Sequence, residues 1–307
     1  MLIVPDGLPA QRILSQEGVH VISPERAVHQ DVRPLKIVIC NLMPDKPTTE
    51  TQLLRLLSRT PLQVEVYLLR TSTYKSKNTS EEYLASFYVD FQEIQEDYFD
   101  ALIITGAPLG TKAFHQVKYW DELRRIMDWS RSHVFSTLHL CWSALAGLYH
   151  HYGVEKKLLE KKLSGVYLHQ KTAAGHGNAL TQDFDDSFWV PHSRFSGITR
   201  ESLEKREGIS VLVDSEQAGP YLLADKNFRQ VFVLGHPEYD RTTLSNEYDR
   251  DISLGLRPAL PVNYFPKNDM RQIPIANWQS HAQLLYSNWI NCIYQHVPFV
   301  RQDIAFM

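Results

Sequence analysis

VFSTLHLCWSALAGLYHHY, residues 134–152, passes from an apolar run of strand composition to an apolar run of helix composition through Cys141. Val134 to Leu140 reads as a buried strand, and Trp142 to Tyr152, with Ala144, Leu145, Ala146 and Leu148, as a helix. A sharp turn at such a junction lifts its first side chain above the carboxyl edge of the sheet. It also aims the next backbone N–H at that side chain, which lowers a thiol's pKa and offers half an oxyanion hole. Free cysteine is equally a core filler, so a functional reading of Cys141 needs a partner elsewhere in the chain. VFVLGHPEYD, residues 231–240, offers one in His236 and Glu238 after a second apolar strand. A thiol nucleophile needs a base to take its proton, and the base needs a third group to fix its tautomer.

Working outward, strand-like runs alternate with helix-like runs, the pattern of an α/β fold with a doubly wound, mostly parallel sheet. LKIVIC (35–40), QVEVYLL (63–69) and ALIIT (101–105) read as buried strands, and 119–133 as the helix leading into the Cys141 strand. Thr48 or Thr49 is expected to cap the first helix, and Thr79 with Glu82 has capping-box spacing for the next. EKKLLEKKL (155–163) reads as a solvated amphipathic helix, 170–186 as loop, and FWVPHSRF, GISVLVDS, YLLAD and VFVLG as short strands. Residues 242–256 and 277–296 read as closing helices. One domain over 35–296 is expected, between an N-terminal arm (1–34) and a C-terminal tail (297–307). In such a sheet Cys141 falls at the carboxyl edge, where ligands bind.

The chain has 307 residues, 43% hydrophobic and 22% charged, enough to bury a large core. Its 32 Lys plus Arg against 35 Asp plus Glu give no electrostatic footprint for nucleic acid or an anionic membrane. The start, MLIVPDGLPAQRIL, lacks the features of a signal peptide, and no apolar run approaches a membrane span, so a cytoplasmic location is expected. Cys40, Cys141 and Cys292 are too few and too irregular for a disulfide framework or a zinc site, so all three are expected as free thiols and no metal is expected. Cys40 and Cys292 read as core, His150 and His151 as surface or capping residues, and the aromatic run Trp278, Tyr286, Trp289 and Tyr294 as packing.

The Cys141 junction followed by His236-Pro237-Glu238 resembles the class I glutamine amidotransferase fold, a flavodoxin-like three-layer architecture. Leu140, Trp142 and Ser143 stand where that fold's nucleophile turn has glycines, which disfavours glutaminase chemistry. A closer resemblance runs through RPLKIVICNLMPDK (33–46), TETQLLRLL (49–57), LIITGAPLG (102–110), KLSGVY (162–167), FDDSFWVPHSR (184–194), GHPEYD (235–240) and NYFPKND (263–269). These blocks resemble the homoserine O-acyltransferases that share the amidotransferase-like fold.

That resemblance implies ping-pong acyl transfer from acyl-CoA, a co-substrate, to the hydroxyl of L-homoserine, with no metal or redox cofactor. Cys141 would carry the acyl group, His236 would act as base and Glu238 would orient it. Backbone N–H groups of Leu109, Gly110 and Trp142 would hold the oxyanion, and Lys162, Ser193 and Arg250 would line the acceptor pocket. Arg250 suits an α-carboxylate through its planar fork, although an ion pair with Glu247 or Asp251 on the same helix fits it too. Gly110 stands where the family has Glu with acetyl-CoA and Gly with succinyl-CoA. Glycine leaves room and no charge for the succinyl carboxylate, although it also suits a positive-φ turn. Leu145 and Leu168 replace a Gln and a Glu common in the family, which leaves L-serine as an alternative acceptor, since one methylene discriminates by only about 1–3 kcal/mol. Acetyl transfer to either acceptor, and a catalytically silent amidotransferase-like binding module, are the other readings. The expected partners are small molecules, and a homodimer is common for this kind of fold.

Overall fold

Runs of Val, Ile and Leu that bury both faces belong in the middle of a parallel sheet, and the computed structural model places them there. It describes residues 1–28, 33–73, 78–204 and 206–307. In chain order the strands are β1 (Leu2–Ile3), β2 (Val21–Ile22), β3 (Leu35–Cys40), β4 (Val64–Arg70), β5 (Tyr88–Asp90), β6 (Phe99–Ile104), β7 (Val134–Leu140), β8 (Lys157–Lys171), β9 (Ser187–Gly197), β10 (Ile209–Asp214), β11 (Leu222–Asp225) and β12 (Gln230–Val233). They form one sheet in the order β2, β1, β4, β3, β6, β7, β12, β11, β10, β8, β9, with β5 paired to the carboxyl end of β4. Every pairing from β2 to β12 is parallel. Beyond β12 the sheet continues as an antiparallel wing.

Helices cover both faces of the parallel half. Lys46–Leu57 and Gln279–His296 pack on one side through Leu53, Leu54, Leu285 and Trp289. Trp120–His133 and Trp142–Tyr152 pack on the other through Leu123, Ile126, Trp142 and Leu148. The helix after Cys141 lies hard against the sheet because residue 147 is glycine. A Cβ there would come 2.8 Å from the His139 ring and 2.9 Å from Phe232.

Four local expectations change. EKKLLEKKL is not a helix; it opens β8, which pairs with β9 across a register shift between Leu158 and Leu163. The first helix is capped by Asp45, which accepts from the Thr48 N–H, rather than by Thr48 or Thr49. Ser80, not Thr79, caps Glu81–Phe87 by accepting from the Tyr83 N–H. The presumed arm supplies β1 and β2 to the sheet edge, and the tail is anchored by Arg301 on the buried Asp100 at 2.7 Å. Among the described residues, no helix is long and apolar enough to cross a membrane.

Candidate active site

β7 ends at Leu140 and the next helix starts at Trp142, so Cys141 alone makes the turn. Its backbone sits at φ 48°, ψ −105°, a conformation that costs a non-glycine residue about 1–3 kcal/mol. The surrounding backbone holds it there. The Cys141 N–H donates to Val233 O at 2.7 Å, and its carbonyl accepts from Leu145 N at 3.2 Å. Ser143 Oγ accepts from the Leu140 N–H at 2.9 Å and donates to Ile104 O at 2.5 Å, tying the turn to β6. Ser143 is a structural member of the site that sequence reading missed.

β12 runs beside β7 and delivers the GHPE segment to the same edge. Gly235 lets that segment press on β9, since a Cβ would lie 2.8 Å from Val190 and 3.1 Å from Pro191 O. The His236 N–H then donates to Pro191 O at 2.9 Å. His236 Nδ1 and Glu238 Oε1 are 2.7 Å apart, both side chains are buried, and the imidazole stacks on Tyr239 at 4.1 Å. Burial works against a charge on His236, but the facing Cys141, as a thiolate, and Glu238 outweigh it and hold the imidazole well above its ordinary 6.5. The proline between them does not separate the pair. Cys40, by contrast, is pushed up to about 12 by burial, as befits an inert core thiol.

The loop after β6 closes the other side. A Cβ on Gly106 would stand 3.4 Å from Cys141 Cβ and 3.6 Å from His236 Cε1, so this glycine lets the loop pack closely against both residues. The Leu109 N–H, expected in an oxyanion hole, instead donates to Ala107 O at 2.8 Å within the loop. Trp142 N is at the first position of its helix, where the helix itself supplies no acceptor for the N–H. Gly110 faces β9, with Ser196 Oγ 3.3 Å and Phe195 Cβ 3.5 Å from where its Cβ would be, and Lys156 Nζ grips its carbonyl at 2.8 Å. Its φ is not positive, so a turn does not account for the glycine.

Lys162, Ser193 and Arg250 come together where the helix Thr243–Ser253 meets β8 and β9, along with carboxylates that sequence reading did not assign to the site. Glu247 accepts from Ser193 Oγ and from Tyr239 Oη, the latter at 2.8 Å, and lies 3.7 Å from Lys162 Nζ. Asp251 accepts from Lys162 Nζ at 2.8 Å and from Arg250 Nη2 at 2.8 Å. Two cations and two carboxylates thus face each other beside the His236–Tyr239 stack. Lys162 is paired rather than solvated, and Arg250 makes the ion pair with Asp251 while half of its side chain stays exposed.

Beneath the site lies a buried basic set. His192 and His169 ring nitrogens are 3.1 Å apart, and Arg194 donates to Ser196 O at 2.8 Å and to Ala218 O. Burial holds His169 down at about 4 and His192 well below its usual value. Leu168, between Tyr167 and His169, turns outward and is exposed, whereas Leu145 is buried one turn along the helix from Cys141. His150 contacts Asp128 at 2.7 Å on the surface and His151 is half-buried. Among the described residues, no group of three or more His, Cys, Asp or Glu is arranged to hold a metal ion.

A family model described as homoserine O-succinyltransferase matches residues 1–299. The chain is 51% identical over 297 residues to a homoserine O-acetyltransferase of Acetivibrio thermocellus, covering 96% of this chain and 97% of the relative. It is 49% identical over 303 residues to a homoserine O-succinyltransferase of Shewanella amazonensis, covering 98% and 95%. Among solved structures it resembles a glutamine amidotransferase of Thermotoga maritima, with TM-score 0.56 at 11% identity, covering 85% of this chain and 99% of that one.

Proposed function

This chain belongs to the homoserine O-succinyltransferase family, and from that premise we propose that it moves a succinyl group from succinyl-CoA to L-homoserine through an acyl thioester on Cys141. Acyl transfer to homoserine is the activity its relatives carry over nearly its whole length. The observation that carries the mechanism is the 2.7 Å contact between His236 and Glu238 at the edge where the Cys141 turn stands.

Cys141 Sγ, with its proton on His236, attacks the thioester carbonyl. A C–S bond to Cys141 forms, the C–S bond to CoA breaks, and the imidazolium returns a proton to the departing CoA sulfur. The Trp142 N–H, at the start of its helix, and the loop backbone beside Gly106 would hold the developing oxyanion. In the second half, His236 takes the proton of the homoserine hydroxyl, the oxygen attacks the thioester carbonyl to form a C–O bond, the C–S bond to Cys141 breaks, and the O-acyl ester leaves with the hydroxyl proton retained by the Cys141–His236 pair. Glu238 holds Nδ1 throughout, which keeps the other nitrogen available to the reacting atoms. Lys162 and Arg250 suit the acceptor's carboxylate, and Glu247 suits its ammonium.

Succinyl as the acyl group is supported by Gly110. A side chain there would point at Phe195 and Ser196, so a glutamate would bring both bulk and negative charge against β9. The free thiols of Cys40, Cys141 and Cys292 support a reducing, cytoplasmic location. The test crosses acetyl-CoA and succinyl-CoA with homoserine and serine and measures CoA release. Succinyl-CoA with homoserine should be fastest, and no release from any pair overturns the reading. Donor alone should leave one acyl adduct by intact mass, absent in Cys141→Ala. Gly110→Glu should move the donor ratio about tenfold or more toward acetyl-CoA; an unmoved ratio removes Gly110 from donor choice.

A further inference from the structure

A cavity of about 760 Å³ opens at the carboxyl edge of the sheet, separate from the Cys141 turn. The loop after β3 (Leu42, Lys46) walls one side and the segment after β6 (Leu109, Lys112, Lys118) the other. These two loops diverge where the sheet reverses its winding. From β3 the chain goes to β4 on one side, and it later returns to β6 on the other. That reversal is the position at which open α/β sheets bind nucleotides.

The charge of the lining is opposite in sign to that of the chain. The protein carries a formal net charge of −3, yet this cavity is lined by Lys46, Arg70, Lys112 and Lys118 against only Glu81 and Asp90. Both carboxylates are already engaged by Arg70, Asp90 at 2.8 Å and Glu81 at 3.5 Å. Lys46 is buried, with its Nζ on Asn41 O and over the Tyr88 ring. Lys112 and Lys118 are exposed, and neither makes an ion pair among the described residues. The lining thus has a surplus of cations with no internal anion to satisfy them. One loop also serves both places: Gly106 packs against Cys141, and Leu109, three residues later, lines the cavity.

We propose that this cavity docks the phosphorylated nucleotide end of the acyl donor, so that the donor's thioester arm crosses the Gly106–Leu109 loop to reach Cys141. The proposal rests on the acyl-CoA reading above and extends it to a second site. Lys112 and Lys118 recognise the phosphates from the rim, and the apolar Leu42 and Leu109 pack against the remainder of the nucleotide arm.

The experiment compares two donors that differ in phosphates, succinyl-CoA and succinyl-N-acetylcysteamine, on wild type and on Lys112→Glu/Lys118→Glu. The double variant changes exposed side chains, so folding is not at issue. The ratio of kcat/KM for succinyl-CoA to that for the truncated donor should fall about tenfold or more, with the change in KM. In wild type, added salt should raise KM for succinyl-CoA and not for the truncated donor. A ratio that stays put, or equal losses on both donors, overturns the docking site. If wild type turns over neither donor, the acyl-transfer reading fails instead. Calorimetric titration with CoA itself then reads the site, and equal affinity in wild type and double variant, or none in wild type, overturns it.

Discussion

The two halves of the sheet hold their functional side chains by different means. On the parallel half, Cys141 is placed by backbone: the Val233 carbonyl, the start of a helix and Ser143 bonded to Leu140 and Ile104 leave its φ and ψ no choice. On the antiparallel wing, Lys162 and Ser193 are placed by side chains, through Glu247 and Asp251 on a helix that also carries Arg250 and bridges to β8 and β9. In the proposed mechanism Cys141 meets every acyl donor at one angle, which suits a rigid mount. The proposed acceptor pocket has to admit and release a charged amino acid, and ion pairs can be exchanged for those the ligand brings. His236 and Glu238 stand at the seam, on the last parallel strand's exit and against β9.

The seam gives the largest expected effect. Glu238→Gln should lower kcat/KM by about 100-fold or more, because His236 loses its orienting anion. The same change should bring the His236 pKa down, read by NMR titration. The sign follows from linkage. A raised pKa in the folded protein stabilises it fully below the ordinary 6.5, and that contribution is lost as pH rises through the raised value. The stability difference between wild type and Glu238→Gln should therefore be widest in mildly acid solution and shrink as pH rises. A His236 pKa unchanged by the substitution would detach Glu238 from the site.

Glu247→Gln probes the wing. It removes the charge that Ser193, Tyr239 and Lys162 share, and KM for homoserine should rise about tenfold. Acylation by donor alone, followed by intact mass over time, should slow much less. Equal slowing of both half-reactions would show that the wing and the elbow are not separable.

The same division governs how far the sequence could be read. LKIVIC, ALII and VFSTLHL are buried on both faces, so their composition betrays them as strands whatever lies around them. The Cys141 turn was legible because it is a local event between two such runs, and the His236–Glu238 pair because its members are two residues apart. β8 was not. EKKLLEKKL is mostly exposed, and the shift of register between Leu158 and Leu163 breaks the alternation that would mark a strand, so its charges mimic a helix. The Lys162 ion pair was illegible for a related reason: Lys162 and Asp251 are 89 positions apart and meet only through the fold, whereas the Arg250–Asp251 pair joins neighbours on one helix and was foreseen. Leu109 failed as an oxyanion donor because the loop turns its N–H onto Ala107, a two-residue bond no pattern announces.

The smallest effect isolates the backbone mount itself. Glycine in place of alanine is usually destabilising in ordered structure, by roughly 0.5–1 kcal/mol, because the unfolded chain gains freedom. At position 141 that order should invert. Alanine keeps the Cβ that makes φ 48° unfavourable and glycine removes it, and the relief of about 1–3 kcal/mol exceeds the entropic loss. Cys141→Gly should thus unfold at higher denaturant than Cys141→Ala, both being inactive. Ser193 on β9 is the control, since its φ is not positive: there Ser193→Gly should be the less stable of the pair. If glycine ranks below alanine at both positions, Cys141 is not held against its own preference, and the contrast between a mount built from backbone and one built from ion pairs loses its energetic basis.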